Sequence, residues 1–341
     1  MGIAVGSRVA AAAAMLCAVA GIGAAAPASA GSGAIAAPPG RHASVDHEAA
    51  LLSWDGRRET LVLDLNLLAD TDNAVLVVPT PTRATLTPVS ETTFLALSQL
   101  TVPEIATERR WFGSPEQPTG TPDARYSVLT SPLGPLELTN FPGDQLTDLH
   151  TWLGSTGYAV GAESRAALEM YRRDGWSFVA IRLSRRDSLT GPLDPIRLSF
   201  ETDRLVYPMR IGSTTPQEVR LYVLSEHRVT RSDADMHRQT VDVDFAGRIA
   251  GSDNPTLREL TAGGQDYLTE MSVSVPEPSA VTTDVTFAAA PTDDPVRARV
   301  TLVEHVQFFG MPAGLVILAP AALAAACVLF ALVRTLRKQP E

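Results

Sequence analysis

Leucines recur at every second position of Thr60–Leu67, where Leu61, Leu63, Leu65 and Leu67 share one parity. A period of two places them on one face of a half-buried strand. A short apolar run, Ala49–Leu52, precedes it, and Asp55-Gly56 between the two is a turn signal. Ala74–Val78 is apolar without a break and is stopped by Pro79 and Pro81. These three runs predict a meander. Helical spacing follows. Phe94, Leu97 and Leu100 form one stripe behind Ser90, a capping residue, and Pro103 ends the run. Leu146, Leu149 and Leu153 repeat the stripe behind Asp144 and are closed by Gly154 and Gly157. Glu163–Arg173 predicts a third helix, and Tyr126–Thr130 and Leu136–Asn140 predict short strands.

From Trp176 the period returns to two. Trp176, Phe178, Ala180 and Arg182 alternate with Val179, Ile181 and Leu183. Further strands are predicted at Ile196–Phe200, Leu205–Ile211, Val219–Leu224, Val241–Phe245, Tyr267–Val275, Val281–Ala288 and Val296–Val303. Asn254-Pro255 opens a short helix, since proline suits the first helical turn. Strands, then helices, then many strands give no regular alternation, which argues against a doubly wound parallel sheet. The expected class is α+β, mainly antiparallel sheet with several short helices, plus one C-terminal transmembrane helix.

The two ends have their own pattern. Arg8 precedes the apolar run Val9–Ala26, and Ala28-Ser29-Ala30 puts small residues where a signal peptidase cuts. Ala28 and Ala30 mark the expected cleavage, after Ala30. Leu16 stands before Cys17, which excludes a lipid-modified cysteine there. Gly31-Ser32-Gly33 mimics a dinucleotide-binding turn, but that motif needs a strand before it and a helix after it. At the other end Ala313–Val333 carries no charge. Its 21 residues at about 1.5 Å each approach the ~30 Å hydrocarbon core. Arg334, Arg337 and Lys338 follow at once and orient the short tail inward by the positive-inside rule. The sequence thus divides into a signal peptide (1–30), a flexible leader (31–46), an exported domain of one or two lobes (47–303), a juxtamembrane linker (304–312), a membrane helix (313–333) and a cytoplasmic tail (334–341). The expected location is the cell membrane, single-pass, with the large domain outside.

Charge narrows the partners. The 341-residue chain has a net charge of −10. Setting aside Arg8, Arg334, Arg337 and Lys338 leaves 24 of its 28 basic residues, and setting aside Glu341 leaves 37 of its 38 acidic ones, so the exported part carries about −13. Such a domain does not bind nucleic acid through bulk charge. The two cysteines, Cys17 and Cys327, fall in the apolar end segments, so the exported part has no disulfide.

Candidate chemistry is thin. His42, His47, His150, His227, His237 and His305 show no i,i+4 metal spacing. Gly154-Ser155-Thr156-Gly157 follows a helix and reads as its stop, not as a nucleophile elbow. No catalytic, cofactor-binding or metal-ligating residue is assigned, and no cofactor is expected. Asp233, Asp235, Asp242 and Asp244 form an acidic stretch that a solvated strand face explains as readily as calcium. Arg109, Arg110, Trp111 and Phe112, in a loop rich in proline, suit contact with a protein or glycan outside the cell. The oligomeric state is left open. Glu201, Thr202, Asp203 and Arg204 interrupt two strand-like runs, and asparate favours turns. They read as a hairpin turn in which Arg204 pairs with Glu201, beside Pro208 at a sheet edge.

Ordered blocks resemble a known family. "RETLVLDLNLLADTDNAVLVVPTPT" at Arg58–Thr82 looks like the opening block of the bacterial domain-of-unknown-function family 2330. "TFLALSQLTVPEI", "WLGSTGYAV", "GWSFVAIRL", "PIRLSFETDRLVYPMRI", "LYVLSEHRV", "YLTEMSV" and "TTDVTF" resemble its later blocks in order, over about His47 to Val303. The resemblance implies an exported protein with a C-terminal membrane helix, and it carries over no catalytic residue. Many members have cysteines just after the signal peptide. This chain has none, which speaks against a thiol-based role. The Glu201–Arg204 turn is the signature of the resemblance. The reading that follows is a membrane-anchored cell-surface binding module. The alternatives are an envelope hydrolase with Glu201 and Asp203 as its carboxylates, and a structural envelope component.

Overall fold

The computed structural model describes residues 32–110, 133–211, 216–249, 251–308 and 311–336. The expected cleavage residues Ala28 and Ala30, the aromatic pair Trp111 and Phe112, and Arg337 and Lys338 lie outside them.

Two sheets pack face to face. The larger has the order Val296–Arg297, Thr240–Arg248, Tyr267–Val275, Gln217–Ser225, Ala43–Trp54, Arg58–Ala69, Ile196–Glu201 and Ala84–Leu86, with Gly191–Pro192 also on Arg58–Ala69. All its pairings are antiparallel except Gln217–Ser225 on Ala43–Trp54. The smaller sheet runs Ala34–Ala36, Asn73–Thr80, Ser177–Ser184, Glu137–Phe141, antiparallel throughout.

The alternation seen in the sequence decides which residues fill which space. Leu61, Leu63, Leu65 and Leu67 of the large sheet meet Leu76, Val78, Val179, Ile181 and Leu183 of the small one in the central core. The opposite parity of the small sheet, Val75, Val77, Phe178 and Ala180, packs under the helices Leu146–Ser155 and Ala162–Arg173. The outer face of the large sheet takes Leu51, Val62, Tyr222 and Leu268 against the helices Thr93–Leu100 and Pro255–Thr261. The result is helix, sheet, sheet, helix: β-rich, mostly antiparallel, with short helices. Asn73–Thr80 is buried on both faces, which is why it reads as an unbroken apolar run. Its Pro79 lies beyond the reach of Ala34–Ala36, which pairs only with Val75–Val77. The missing N–H therefore interrupts no ladder on that side.

Several expectations are corrected. Residues 31–46 were expected as a flexible leader, but Ala34–Ala36 is a buried strand and Ala43 begins another. Small side chains are what admit it: a Cβ on Gly33 would stand 2.8 Å from Leu76 Cδ1. The early meander does not form, because Asn73–Thr80 leaves for the other sheet. Thr92, not Ser90, occupies the N-cap of Thr93–Leu100; Ser90 instead offers its carbonyl to the Thr93 N–H (3.0 Å) and hydroxyl (2.7 Å). Asp144 falls in a single 3-10 turn, Gly143–Gln145, ahead of its helix. Arg109 and Arg110, expected in a loop, end the strand Glu104–Arg110, which pairs in parallel with Arg299–His305. The helix from Asn254 forms as expected, with Asn254 Oδ1 accepting the Leu257 N–H at 3.1 Å.

The backbone of Ala313–Leu336 is one helix of 24 residues. Its side chains are described only in part, and over the described residues no helix is long and apolar enough to cross a membrane.

Candidate functional site

The site grows from the tip of a hairpin. Ala43–Trp54 and Arg58–Ala69 are joined by Asp55-Gly56-Arg57. Asp55 Oδ1 accepts the backbone N–H groups of Arg57 (2.9 Å) and Arg58 (2.7 Å). The Arg58 N–H first, against a small burial effect, holds the Asp55 carboxyl below its ordinary range. Gly56 takes φ +93°, which a side chain would resist.

The signature turn packs onto this tip. The Trp54 indole N–H donates to the Thr202 carbonyl (3.2 Å), and the Thr202 N–H donates to the Arg57 carbonyl (2.9 Å). Between the tip, the turn and the strand Val285–Ala289 lies a cavity of about 360 Å³. Buried Leu205, Leu224 and Val229 floor it, and the rings of Trp54 and Phe287 wall it. Arg204, Glu226, His227 and Gln265 stand around it. His227 Nδ1 lies 2.7 Å from Asp293 Oδ2, and this contact is the leading reason the Asp293 carboxyl is held low. The side chains of Arg204, Glu226 and Gln265 have no hydrogen-bond or ion-pair partner among the described residues. The cavity therefore offers two aromatic rings together with a cation, an anion, an amide and an imidazole.

The predicted residues are only partly brought together. Arg204 reaches the cavity; Glu201, Thr202 and Asp203 do not line it. Glu201 Oε1 is taken by Arg57 (3.2 Å) and Arg58 (3.7 Å), so its expected partner Arg204 is corrected. Asp203 is exposed and does not line this cavity. Neither carboxylate is placed as a hydrolase pair. The hairpin reading is also overturned. Ile196–Glu201 pairs with Arg58–Ala69 and Ala84–Leu86, whereas Val206–Tyr207 pairs with Val285–Ala289. Phe200, Leu205 and Tyr207 all enter the central core, so the chain turns a corner into another sheet rather than folding back on itself.

Asp233, Asp235 and Asp244 of the acidic stretch are spent internally. Asp233 accepts two bonds from Arg231, at 2.6 and 2.8 Å. Asp235 accepts the N–H groups of Thr282 (2.6 Å) and Thr283 (2.8 Å). Asp242 stands opposite Ser272, whose hydroxyl donates to Asp244 Oδ2 at 2.6 Å, so the two stay on one face although the register of Thr240–Arg248 skips between Val243 and Phe245. Among the described residues no group of three metal-ligating side chains gathers.

Sequence reasoning missed the buried polar groups. Glu59 is fully buried; its Oε2 accepts the Val206 N–H (3.0 Å) and its Oε1 is unmatched. Burial raises its pKa well above the ordinary value. Its shared parity with Leu61 and Leu63 was the available signal. Glu48 accepts from the Tyr207 hydroxyl (2.7 Å) and is likewise raised by burial. The Tyr171 hydroxyl donates to Asp284, which also takes Arg210 Nε (3.0 Å) and the Met209 N–H (2.9 Å). A smaller cavity of about 110 Å³ is lined by His47, Asp64, Glu218 and Arg220, on the outer face of the large sheet.

The chain belongs to a bacterial family: the model of "Uncharacterized protein conserved in bacteria (DUF2330)" matches residues 26–288, well over half of it. None of the curated proteins matches. Among solved structures, the crystal structure of baculovirus P35 is similar at 10% identity, over 75% of this chain and 99% of that one, with a TM-score of 0.38. A likeness at that level carries no argument about this chain.

Proposed function

We propose that the chain is a membrane-anchored extracytoplasmic binding module, and that the cavity beside Trp54 is its binding site. The observation that carries the site is the combination of two aromatic rings with unspent polar side chains around one concave space. Small-ligand sites have this character, at roughly 300–1,000 Å³. The signature turn supplies Arg204 to that space and Leu205 follows it there, which supports a role for Arg204 in binding.

The anchor rests on Ala313–Leu336. A helix of 24 residues reaches about 36 Å at 1.5 Å per residue, enough for a bilayer core. Leu323, Val328, Leu329 and Phe330 expose apolar side chains along it, as lipid contact demands. Arg334 in its last turn, with Arg337 and Lys338 beyond, supports an inward tail. The apolar run before Ala28 and Ala30 supports export by a cleaved signal peptide.

Crosslinking on native membranes tests the site. Wild-type chain and an Arg204→Glu variant are compared for the partners they capture. A partner lost on substitution supports the cavity; identical recovery from both overturns it.

A further inference from the structure

Resting on that binding reading, we infer that the cavity at Trp54 takes a neutral saccharide. The polar side chains that remain unspent there decide the class. Arg204 brings only donors, Glu226 only acceptors, and Gln265 both. His227 keeps Nε2 after Nδ1 is engaged by Asp293. A sugar hydroxyl donates and accepts at once, so a ring of vicinal hydroxyls uses each of these groups. A phosphorylated or otherwise anionic ligand would meet Glu226 and Asp55 beside Arg204, on a chain of net charge −10. A cationic ligand would meet Arg204 itself. Mixed, nearly cancelling charge favours a ligand that has none.

The aromatic pair supplies the second requirement. A sugar ring has one apolar C–H face, which packs on an aromatic ring through dispersion and weak C–H contacts. Trp54 is set for this. Its indole N–H is bound to the Thr202 carbonyl at 3.2 Å, so the ring is held beside the cavity and its donor is already spent. Phe287 adds a second apolar surface at the same cavity.

A peptide added as a strand needs an open row of backbone groups. The cavity wall is instead assembled from separate short segments around Trp54, Arg204, Leu224, Gln265 and Phe287. The strand runs among them are short: Leu224–Ser225 is paired with Tyr267–Leu268, and Phe287–Ala289 is paired on one side with Val229–Arg231, which leaves at most three residues of open edge, too few to seat an added strand. Recognition there falls to side chains.

The test uses the full chain in detergent, applied to an array of neutral hexose and N-acetylhexosamine oligosaccharides, with sialylated oligosaccharides and extended peptides as competitors. The expected result is selective binding of neutral oligosaccharides. Trp54→Ala should abolish it, and because that change also touches the core, the exposed and half-buried positions are tested as well. Glu226→Gln and Gln265→Ala should each weaken binding roughly tenfold, as loss of a hydrogen bond with a charged or buried partner does, with unchanged circular dichroism. Neutral-sugar binding that survives both rim variants overturns the assignment. So does selective binding of the sialylated probes or the peptides. If the membrane crosslinks above depend on Arg204 while no saccharide binds, the binding reading stands and the saccharide class falls. If neither responds, both fall.

Discussion

Asp64 stands between Leu63 and Leu65, which point into the central core, and so faces the opposite side of the sheet. It lines the small cavity with His47, Glu218 and Arg220. Burial alone pushes its carboxyl up to about 7 from an ordinary 3.8. Below 3.8 the proton is bound in both folded and unfolded chains, and no penalty exists. Between 3.8 and about 7 the unfolded chain releases it and the fold keeps it, so stability falls as pH rises, then levels off. The full loss is about 4 kcal/mol, an order of magnitude from ~1.4 kcal/mol per unit. Asp64→Asn removes this slope. Urea midpoints at pH 5 and pH 8 should converge in the variant relative to the wild type; parallel pH curves would show that the carboxyl titrates normally. Glu48 and Glu59 are raised by burial too and add slope of the same sign. The inward acid Glu59 was missed in the sequence, although it shares the parity of Leu61 and Leu63. The cavity at Trp54 was not visible there, since Trp54, Arg204, Glu226 and Phe287 meet only after the chain has crossed between sheets.

Between elements, one buried polar cluster joins helix Ala162–Arg173 to the strand region at Val285–Ala289. Tyr171 comes from the helix, Asp284 from the residue before the strand, and Arg210 from the segment after the signature turn. Arg210 lies 2.8 Å from Asp284, and its guanidinium sits 4.2 Å over the Tyr171 ring. Both charged side chains are almost wholly buried, at 11% and 8% exposure. Removing Asp284 leaves Arg210 only the half-exposed Asp174 as partner and orphans the Tyr171 hydroxyl and the Met209 N–H, at a cost of about 3–5 kcal/mol. Asp284→Ala should therefore lower the urea stability by that amount, and a loss under about 1 kcal/mol would show the cluster to be solvated. Packing within an element is as exacting. Phe178 is fully buried between its sheet and the helices, so Phe178→Ala should cost about 3–5 kcal/mol, measured the same way; a smaller loss would mean that the helices collapse onto the gap. Alternation disclosed the faces of Ser177–Ser184 correctly, because parity is a local property. It could not disclose neighbours. Gln217–Ser225 lies parallel to Ala43–Trp54, and the run after Glu201 changes sheets, both through contacts far apart in sequence.

At the scale of the molecule, a layered domain of net negative charge is followed by an apolar helix with basic residues at its end. The proposed signal peptide at the other end and the proposed membrane helix would together give one arrangement: domain outside, tail inside. Under that proposal the cavity at Trp54 would face outside the cell, where the proposed saccharide would reach it. Two measurements address it. The full chain should stay with membranes through an alkaline carbonate wash, while a chain lacking residues 313–341 should move to the soluble fraction, because the apolar side chains of the helix would no longer need lipid. Protease added to intact cells should then remove an epitope in the domain and spare one on the tail. A chain that washes off before truncation is not anchored by this helix. A tail that is cut while the domain survives reverses the orientation, and with it the side of the membrane on which the Trp54 cavity meets its ligand.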